Sequence, residues 1–447
     1  MNFIELIQNS GIVGCGGAGF PTHVKYNTTA DWFIINAAEC EPLLRTDRYL
    51  MINESNKLII AAEQIGKNLG AKNIIIATKK SYKKEIESLQ KSIDALSSNV
   101  KIHEMTSFYP AGDEHVIVYE VTGNIIPPNG LPGNVDAVVS NVGTVVATFD
   151  AMHGLPFTDK YLTITGDVAK PLVIKAPIGT TLMECIQRAY PNKKYFDIII
   201  GGPMMGKFKN FSDIQNEVVT KTTSGIIVLP EESYLKKRMD TSVSTILKKA
   251  KTACIQCSFC TDLCSRHMLG HPLKPHIIMR KMAFMGNIDE ILNDNDINQA
   301  LLCSECGICD EYACPMGLQP RRINSFLKSL CRKEGIKYEK QNTIINPNKM
   351  RDVRKVPSHR LAMRIGLNDY YETVIDTLEE VHPEKVEILL KQHVGSIATP
   401  IVSVGDLVVK GQTVAECTDG VLGASLCASI NGTVTEINNS VVIERTL

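Results

Sequence analysis

Residues 254–264 read CIQCSFCTDLC, and residues 303–315 read CSECGICDEYACP. Each run sets three cysteines at C-x2-C-x2-C spacing with a fourth a few residues on. These are Cys254, Cys257, Cys260 and Cys264, then Cys303, Cys306, Cys309 and Cys314. Three thiolates so spaced wrap three corners of a cubane, and in two-cluster ferredoxins the fourth ligand comes from the other run. The spacing therefore predicts two [4Fe–4S] clusters. One sits on Cys254, Cys257, Cys260 and Cys314, the other on Cys303, Cys306, Cys309 and Cys264. Zinc is the competing reading, but structural zinc sites pair their ligands as C-x2-C with C-x2-C, and two triplets fit that poorly. His267, His271 and His276 lie nearby. Eight cysteines already complete two sites, so these histidines read as surface or capping groups. The 38 residues between the runs exceed the gap of a compact bacterial ferredoxin and leave room for helices. Helix-like segments follow each run, at 275–285 and 321–333, and a helical two-cluster ferredoxin domain is expected over 245–335.

Outside this region the chain is ordinary in composition. Its 447 residues suggest two to four domains at roughly 100–200 residues each. Lys plus Arg and Asp plus Glu are 48 each, so no basic surplus points to nucleic acid. The start, MNFIELIQNSG, lacks the cationic and apolar regions of a signal peptide, and no apolar run approaches the roughly 18 residues of a spanning helix. Six further cysteines (15, 40, 185, 331, 417 and 427) are scattered. Clustered thiols of this kind indicate metal in a reducing cytoplasm rather than a disulfide scaffold.

Working outward, residues 1–160 alternate strand and helix signals. A glycine loop, GCGGAGFP (Gly14 to Pro21), precedes the apolar WFIIN (Trp32 to Asn36) and the acidic AECEP (Ala38 to Pro42). Helical periodicity at 46–70 and 80–96 flanks the buried run NIIIA (Asn73 to Ala77). AVVS (Ala137 to Ser140) then leads into NVGT (Asn141 to Thr144), which opens a helix. This predicts an α/β layer with a mainly parallel sheet. Residues 161–235 change to short strands with one helix near 181–189, an α+β unit. Residues 336–385 are polar and carry little signal. From 385 to 447 the pattern is turn-rich β. Glycine N–H groups of the loop can approach a phosphate closely. Cys15 reads as a small residue in a tight turn.

Four segments then show a resemblance. GCGGAGFPTHVK (Gly14 to Lys25), INAAECEP (Ile35 to Pro42) with DRYLM (Asp47 to Met51), YPAGDE (Tyr109 to Glu114) and SNVGT (Ser140 to Thr144) resemble the flavin and NADH subunit of complex I and, more closely, the RnfC-like subunit of Rnf-type oxidoreductases. TITG (Thr163 to Gly166), PIGT (Pro177 to Thr180) and GGPMMG (Gly201 to Gly206) resemble the β-grasp (SLBB) unit that follows in that family. HVGSIATP (His393 to Pro400), KGQ (Lys410 to Gln412) and ASINGTV (Ala428 to Val434) resemble a barrel-sandwich hybrid, a biotinyl-like module. Here it lies at the C-terminus, and DGVLGAS (Asp419 to Ser425) offers no lysine to modify, so it reads as a docking or structural module. That placement, with CSRHMLGHPLKPH (Cys264 to His276) and CPMGLQPRR (Cys314 to Arg322), is similar to the cobalamin reductases of propanediol-utilising microcompartments and to the electron-transfer proteins of proline reductase systems.

The resemblance implies an α/β plus α+β multidomain protein: a complex I-like domain over 1–160, SLBB over 161–235, the helical ferredoxin domain over 245–335 and the sandwich over 385–447. It implies FMN held by Gly14, Gly16, Gly17, Gly19, Lys25, Asn36, Glu39, Asp113, Glu114, Asn141 and Thr144. Glu41 corresponds to the carboxylate beside the nicotinamide and Phe20 to an aromatic beside the dinucleotide. Thr28 stands where complex I has an aromatic, which weakens one adenine-stacking platform. The implied function is a cytoplasmic, cobalamin reductase-like oxidoreductase. It passes electrons from NADH through FMN and two [4Fe–4S] clusters to a corrinoid, a proline reductase system or a ferredoxin, as a homo-oligomer or docked to a larger complex or microcompartment. Two other readings stand beside it: a non-catalytic iron–sulfur relay, and a soluble subunit of an Rnf-type membrane complex.

Overall fold

A computed structural model describes residues 2–285, 288–339, 345–418 and 420–446. The first sheet holds β1 (Trp32–Ala37), β2 (Asn73–Lys79), β3 (Lys101–Met105) and β4 (Ala137–Asn141), all parallel, in the order β3-β2-β1-β4. Parallel strands are apolar throughout because helices cover both faces. Phe33 and Ile35 of β1 pack against Leu58, Ile59, Ile65, Val142 and Val145, from the helices Ser55–Leu69 and Val142–Met152. Ile34, one residue out of phase, packs on the other face against Val116 and Ile117 of the helix Glu114–Thr122. The carboxyl ends of β1 and β4 carry Asn36 and Asn141. In an open parallel sheet that edge is where ligands bind.

The second sheet is mixed. Its strands are β5 (Asp159–Gly166), β6 (Leu172–Pro177), β7 (Asp197–Ile200), β8 (Lys207–Lys209), β9 (Gly225–Leu229) and β10 (Leu378–Glu380), in the order β10-β6-β5-β9-β7-β8. The helix Leu182–Arg188 closes its core through Leu182 and Ile186. β10 comes from the stretch that carried little sequence signal. It pairs parallel to β6, Leu378 opposite Val173. The same stretch lays Val356–Pro357 antiparallel to Phe108–Tyr109. It is thus a strap that fastens to the first and second units in turn.

Around the cysteine runs, Ile246, Ile278, Met279, Ile323 and Leu327 join the helices Val243–Ala253, Pro275–Phe284 and Pro320–Lys333 in one core. The C-terminal unit is two small antiparallel sheets closed over Val386, Val414, Leu426, Val434 and Ile443. Its turn expected at Asp419 to Ser425 begins outside the described residues. Among the described residues no helix is long and apolar enough to cross a membrane.

Candidate functional site

A cavity of about 680 Å3 opens at the carboxyl ends of β1 and β4, within the usual range of roughly 300–1,000 Å3 for small-molecule sites. Of the residues singled out in the sequence it gathers Gly16, Asn36, Glu39, Glu41, Asp113 and Asn141. The glycine loop is closed by Gly14 N–H donating to the Phe20 carbonyl at 2.9 Å. It is fixed to the helix Val142–Met152 by Cys15 N–H donating to Thr144 Oγ1 at 2.9 Å. A Cβ at Gly16 would come within 2.9 Å of Asn141 Nδ2, so a larger residue there would displace that side chain. Beside Gly17 nothing lies within 4 Å of where a Cβ would be, so its backbone stays open to a ligand. Gly14, Gly17, Gly19, Phe20 and Thr144 hold or continue the loop without lining the cavity.

The acidic turn after β1 is tightly tied. Asn36 Nδ2 donates to the Gly112 carbonyl at 2.8 Å. Glu39, in the left-handed region at φ 38°, accepts from Asp47 N–H. Asp47 in turn accepts from Asn141 Nδ2 at 2.7 Å. Burial pushes the Glu39 carboxyl up, and burial followed by the neighbouring Glu39 pushes Asp47 up further. Glu41 Oε2 accepts from Met204 N–H at 2.9 Å, while its Oε1 is buried without a partner. Burial raises Glu41 to about 7, against the pull of that N–H and of Arg321. Gly202 presses on it so closely that a Cβ would lie 2.2 Å from the Glu41 side chain. Asp113 caps the helix Glu114–Thr122 and pairs with Arg266 at 2.6 Å, which brings in the cysteine region.

Lys25 lies outside the lining. Its ammonium donates to Glu114 at 3.1 Å and to the Val139 carbonyl at 2.9 Å, which also occupies Glu114. Lysines that do line the cavity include Lys57, Lys175 and Lys410, paired with Asp150, Glu380 and Asp159. Lys160, buried at 5 % exposure, donates to the Cys15 carbonyl of the glycine loop at 3.3 Å. Sequence reasoning missed Lys160, Asp47 and Tyr109. Tyr109 and Asp47 stood inside quoted motifs. Lys160 is a lone lysine at the head of a strand, and only the packing of the second sheet against the first brings it to the loop.

Cys254, Cys257, Cys260 and Cys314 surround a second, small cavity walled by Met279, Pro315, Met316 and Leu318. Burial, then Cys314, Cys257 and Cys254, push the Cys260 thiol up to about 12. Burial and then Asp310, Cys303, Cys306 and Cys264 likewise raise Cys309. Gln256, Ser258 and Glu305 take left-handed φ of 58°, 62° and 60°. Such backbone costs a non-glycine residue roughly 1–2 kcal/mol, and it turns each run back so that its thiols face one another. Glu305 N–H donates to Cys303 Sγ and Leu318 N–H to Cys314 Sγ, both at 3.3 Å. Hydrogen bonds to sulfur of this kind tune cluster potentials. Among the described residues no three His, Cys, Asp or Glu side chains stand close enough to share one metal ion. Cys254, Cys257, Cys260 and Cys314 stand around a cavity, not around a point. His276 bonds Thr261, and His271 is buried against the Ile126 carbonyl rather than at the surface. Cys306 also lines the large cavity, and Tyr109 Oη donates to its carbonyl at 2.6 Å.

Known proteins match the chain along most of its length. The Nuo51 FMN-binding domain matches residues 7–150, a 4Fe-4S dicluster domain 253–319 and the RnfC barrel sandwich hybrid domain 372–446. The cobalamin reductase PduS of Citrobacter freundii is 40% identical over 438 residues, 97% of this chain and 94% of that one. Its counterpart in Salmonella typhimurium is 38% identical over 443 residues, 98% and 95%. A subunit of the Na(+)-translocating ferredoxin:NAD(+) oxidoreductase complex of Acetobacterium woodii is 34% identical over 275 residues, 59% and 58%.

Proposed function

This chain belongs to the family of the cobalamin reductase PduS and is a flavin and iron–sulfur electron-transfer oxidoreductase, and from that membership we propose that it takes electrons from NADH and delivers them to a corrinoid, a substrate reductase or a ferredoxin. One observation carries the reading: a single cavity is lined both by Gly16 and Asn141 and by Cys306. Bound FMN would supply the change from hydride to single-electron chemistry, and two [4Fe–4S] clusters the relay.

The residues present suit these groups. The close approach of Asn141 to the Gly16 backbone, the open backbone at Gly17 and the orphaned Glu41 Oε1 are features of a binding site. The loop Gly14–Gly19, Asn36, Glu39, Asp113, Asn141 and Thr144 would hold the flavin, with Lys160 as the cation nearest the loop. Glu114 would act through Lys25, its ion-pair partner. Glu41, raised to about 7, populates both protonation states near neutrality and can hold or release a proton at Oε1. Cys254, Cys257, Cys260 and Cys314 would hold one cluster, and Cys303, Cys306, Cys309 and Cys264 the other. Residues 1–160, 161–235, 245–335 and 385–447 are the proposed units, the second of them an SLBB β-grasp. The thiols require a reducing compartment, which we take to be the cytoplasm.

The test is anaerobic protein reconstituted with FMN and mixed rapidly with NADH. About eight iron and eight sulfide per chain are expected, with bleaching of the flavin band on NADH addition. A second reading, an iron–sulfur relay without hydride chemistry, draws on Lys25 being engaged by Glu114 and on Phe20 standing off the cavity lining. Flavin that binds but is not bleached would leave that reading standing. Zinc in place of iron would end both.

A further inference from the structure

The two cysteine rings differ in their relation to the flavin cavity. Cys306 of one ring lines it, and none of Cys254, Cys257, Cys260 and Cys314 does. Beside the latter ring lies an open groove of about 790 Å3. Phe259, Leu263 and Pro315 lie along it. Phe259 precedes Cys260 and Pro315 follows Cys314, so this wall is one peptide bond from two cysteines of that ring. The helix Ser358–Arg364 contributes Arg360, Met363 and Arg364, all on its exposed side. Phe259 is 51% exposed and Met363 58%, and no acidic residue is among the described lining. The surface is an apolar centre with a basic rim. Transient redox contacts are small and are steered by charge.

We infer that this groove docks an acidic electron-transfer protein, its carboxylates meeting Arg360 and Arg364 and its apolar contact seated on Phe259 and Met363. The inference rests on the proposed function, in which the Cys254 ring is the one that does not border the flavin. The juxtaposition of that ring with a basic, apolar-centred groove is what points to it.

The test uses the cofactor-loaded protein and its Arg360→Glu/Arg364→Glu variant. The probe is a purified, acidic bacterial ferredoxin with two [4Fe–4S] clusters. Both arginine changes are on the exposed face, and iron content and circular dichroism confirm that the variant is loaded and folded. Binding of oxidised ferredoxin, read by biolayer interferometry, should weaken about tenfold or more in wild type between roughly 20 and 500 mM salt. In the variant it should be weaker by about tenfold at low salt and lose most of its salt dependence. Reduction of hydroxocobalamin, a small acceptor, should be unchanged in the variant. Equal binding by both proteins would overturn the inference, as would no binding by wild type. Loss of hydroxocobalamin reduction in parallel with ferredoxin binding would also overturn it, by making the groove a small-molecule site. A wild type that binds ferredoxin salt-dependently but is not reduced by NADH would instead remove the electron route and leave the docking surface in place.

Discussion

Glu41 is the residue whose environment most directly sets its chemistry. Its carboxyl is raised from 4.5 to about 7 by burial, so the fold favours its protonated form. Stability linked to such a group is fully present below the unfolded value and declines as pH rises from about 4.5 to about 7. Glu41→Gln should therefore flatten part of the loss of apoprotein stability over that window by about 3 kcal/mol, measured by urea denaturation at several pH values. Asp310, raised to about 6 by burial, and Glu39, Asp47 and Asp150, raised by burial as well, add to the slope, while His115 and His271, lowered by burial, oppose it. In the loaded protein the same change should slow bleaching by NADH by roughly 100-fold or more and leave FMN affinity nearly unaltered. Lys160 and Lys25 give a sharper contrast. Lys160→Met should weaken FMN binding by about tenfold or more, because it removes a buried cation at the loop. Lys25→Met should cost less, since its charge is already neutralised by Glu114. Fluorescence titration of apoprotein with FMN reads both. Gly17→Val should abolish flavin retention, because a side chain would enter the open space beside that backbone.

At the scale of elements, the proposed crossing of the two cysteine runs makes a prediction of its own. Burial and then the nearby Cys306 and Cys303 raise the Cys264 thiol, while burial and then Cys257 and Cys254 raise Cys314, so each fourth cysteine stands beside the other run's triplet. Cys264→Ala should then damage the cluster of the later run and spare that of its own. Low-temperature electron paramagnetic resonance of single-cluster variants distinguishes the two outcomes, and loss of the Cys254 cluster instead would sink the crossed assignment. The elements that were legible from residue order were those whose pattern is local. The run Trp32–Ala37 and the helix Lys83–Leu96 declare themselves through periodicity and burial. The strap after residue 335 did not. Val356–Pro357 and Leu378–Glu380 pair over only two and three residues, too few for a period to register, and their partners lie more than 200 residues away. The same holds within the site. The glycine loop and the acidic turn are short motifs, while Lys160 reaches them only through the contact between two sheets.

For the whole molecule, Lys221 is where three units meet. Its side chain is 1% exposed and donates to the Gly11 and Ser425 carbonyls, both at 2.6 Å, while its N–H donates to Gln392 Oε1 at 2.9 Å. It fastens the C-terminal sandwich onto the turn that leads into the glycine loop. Lys221→Met should leave two buried carbonyls unpaired and lower stability by about 2–4 kcal/mol. Flavin retention should fall with it, measurable as a lower flavin-to-protein ratio after gel filtration. The strand β10 has a consequence of another kind, in the order of synthesis. It begins at Leu378, and β9 ends at Leu229, so 148 residues separate them. At roughly 5–20 residues per second, a ribosome needs about 7–30 s to make that interval. Throughout it the edge of β6 that β10 will cover has no partner in its own sheet, and uncovered edges recruit strands from other chains. The cysteine runs emerge during the same interval. A nascent chain is therefore exposed to association just when its thiols await iron, and truncations ending before residue 378 should aggregate where the full chain does not.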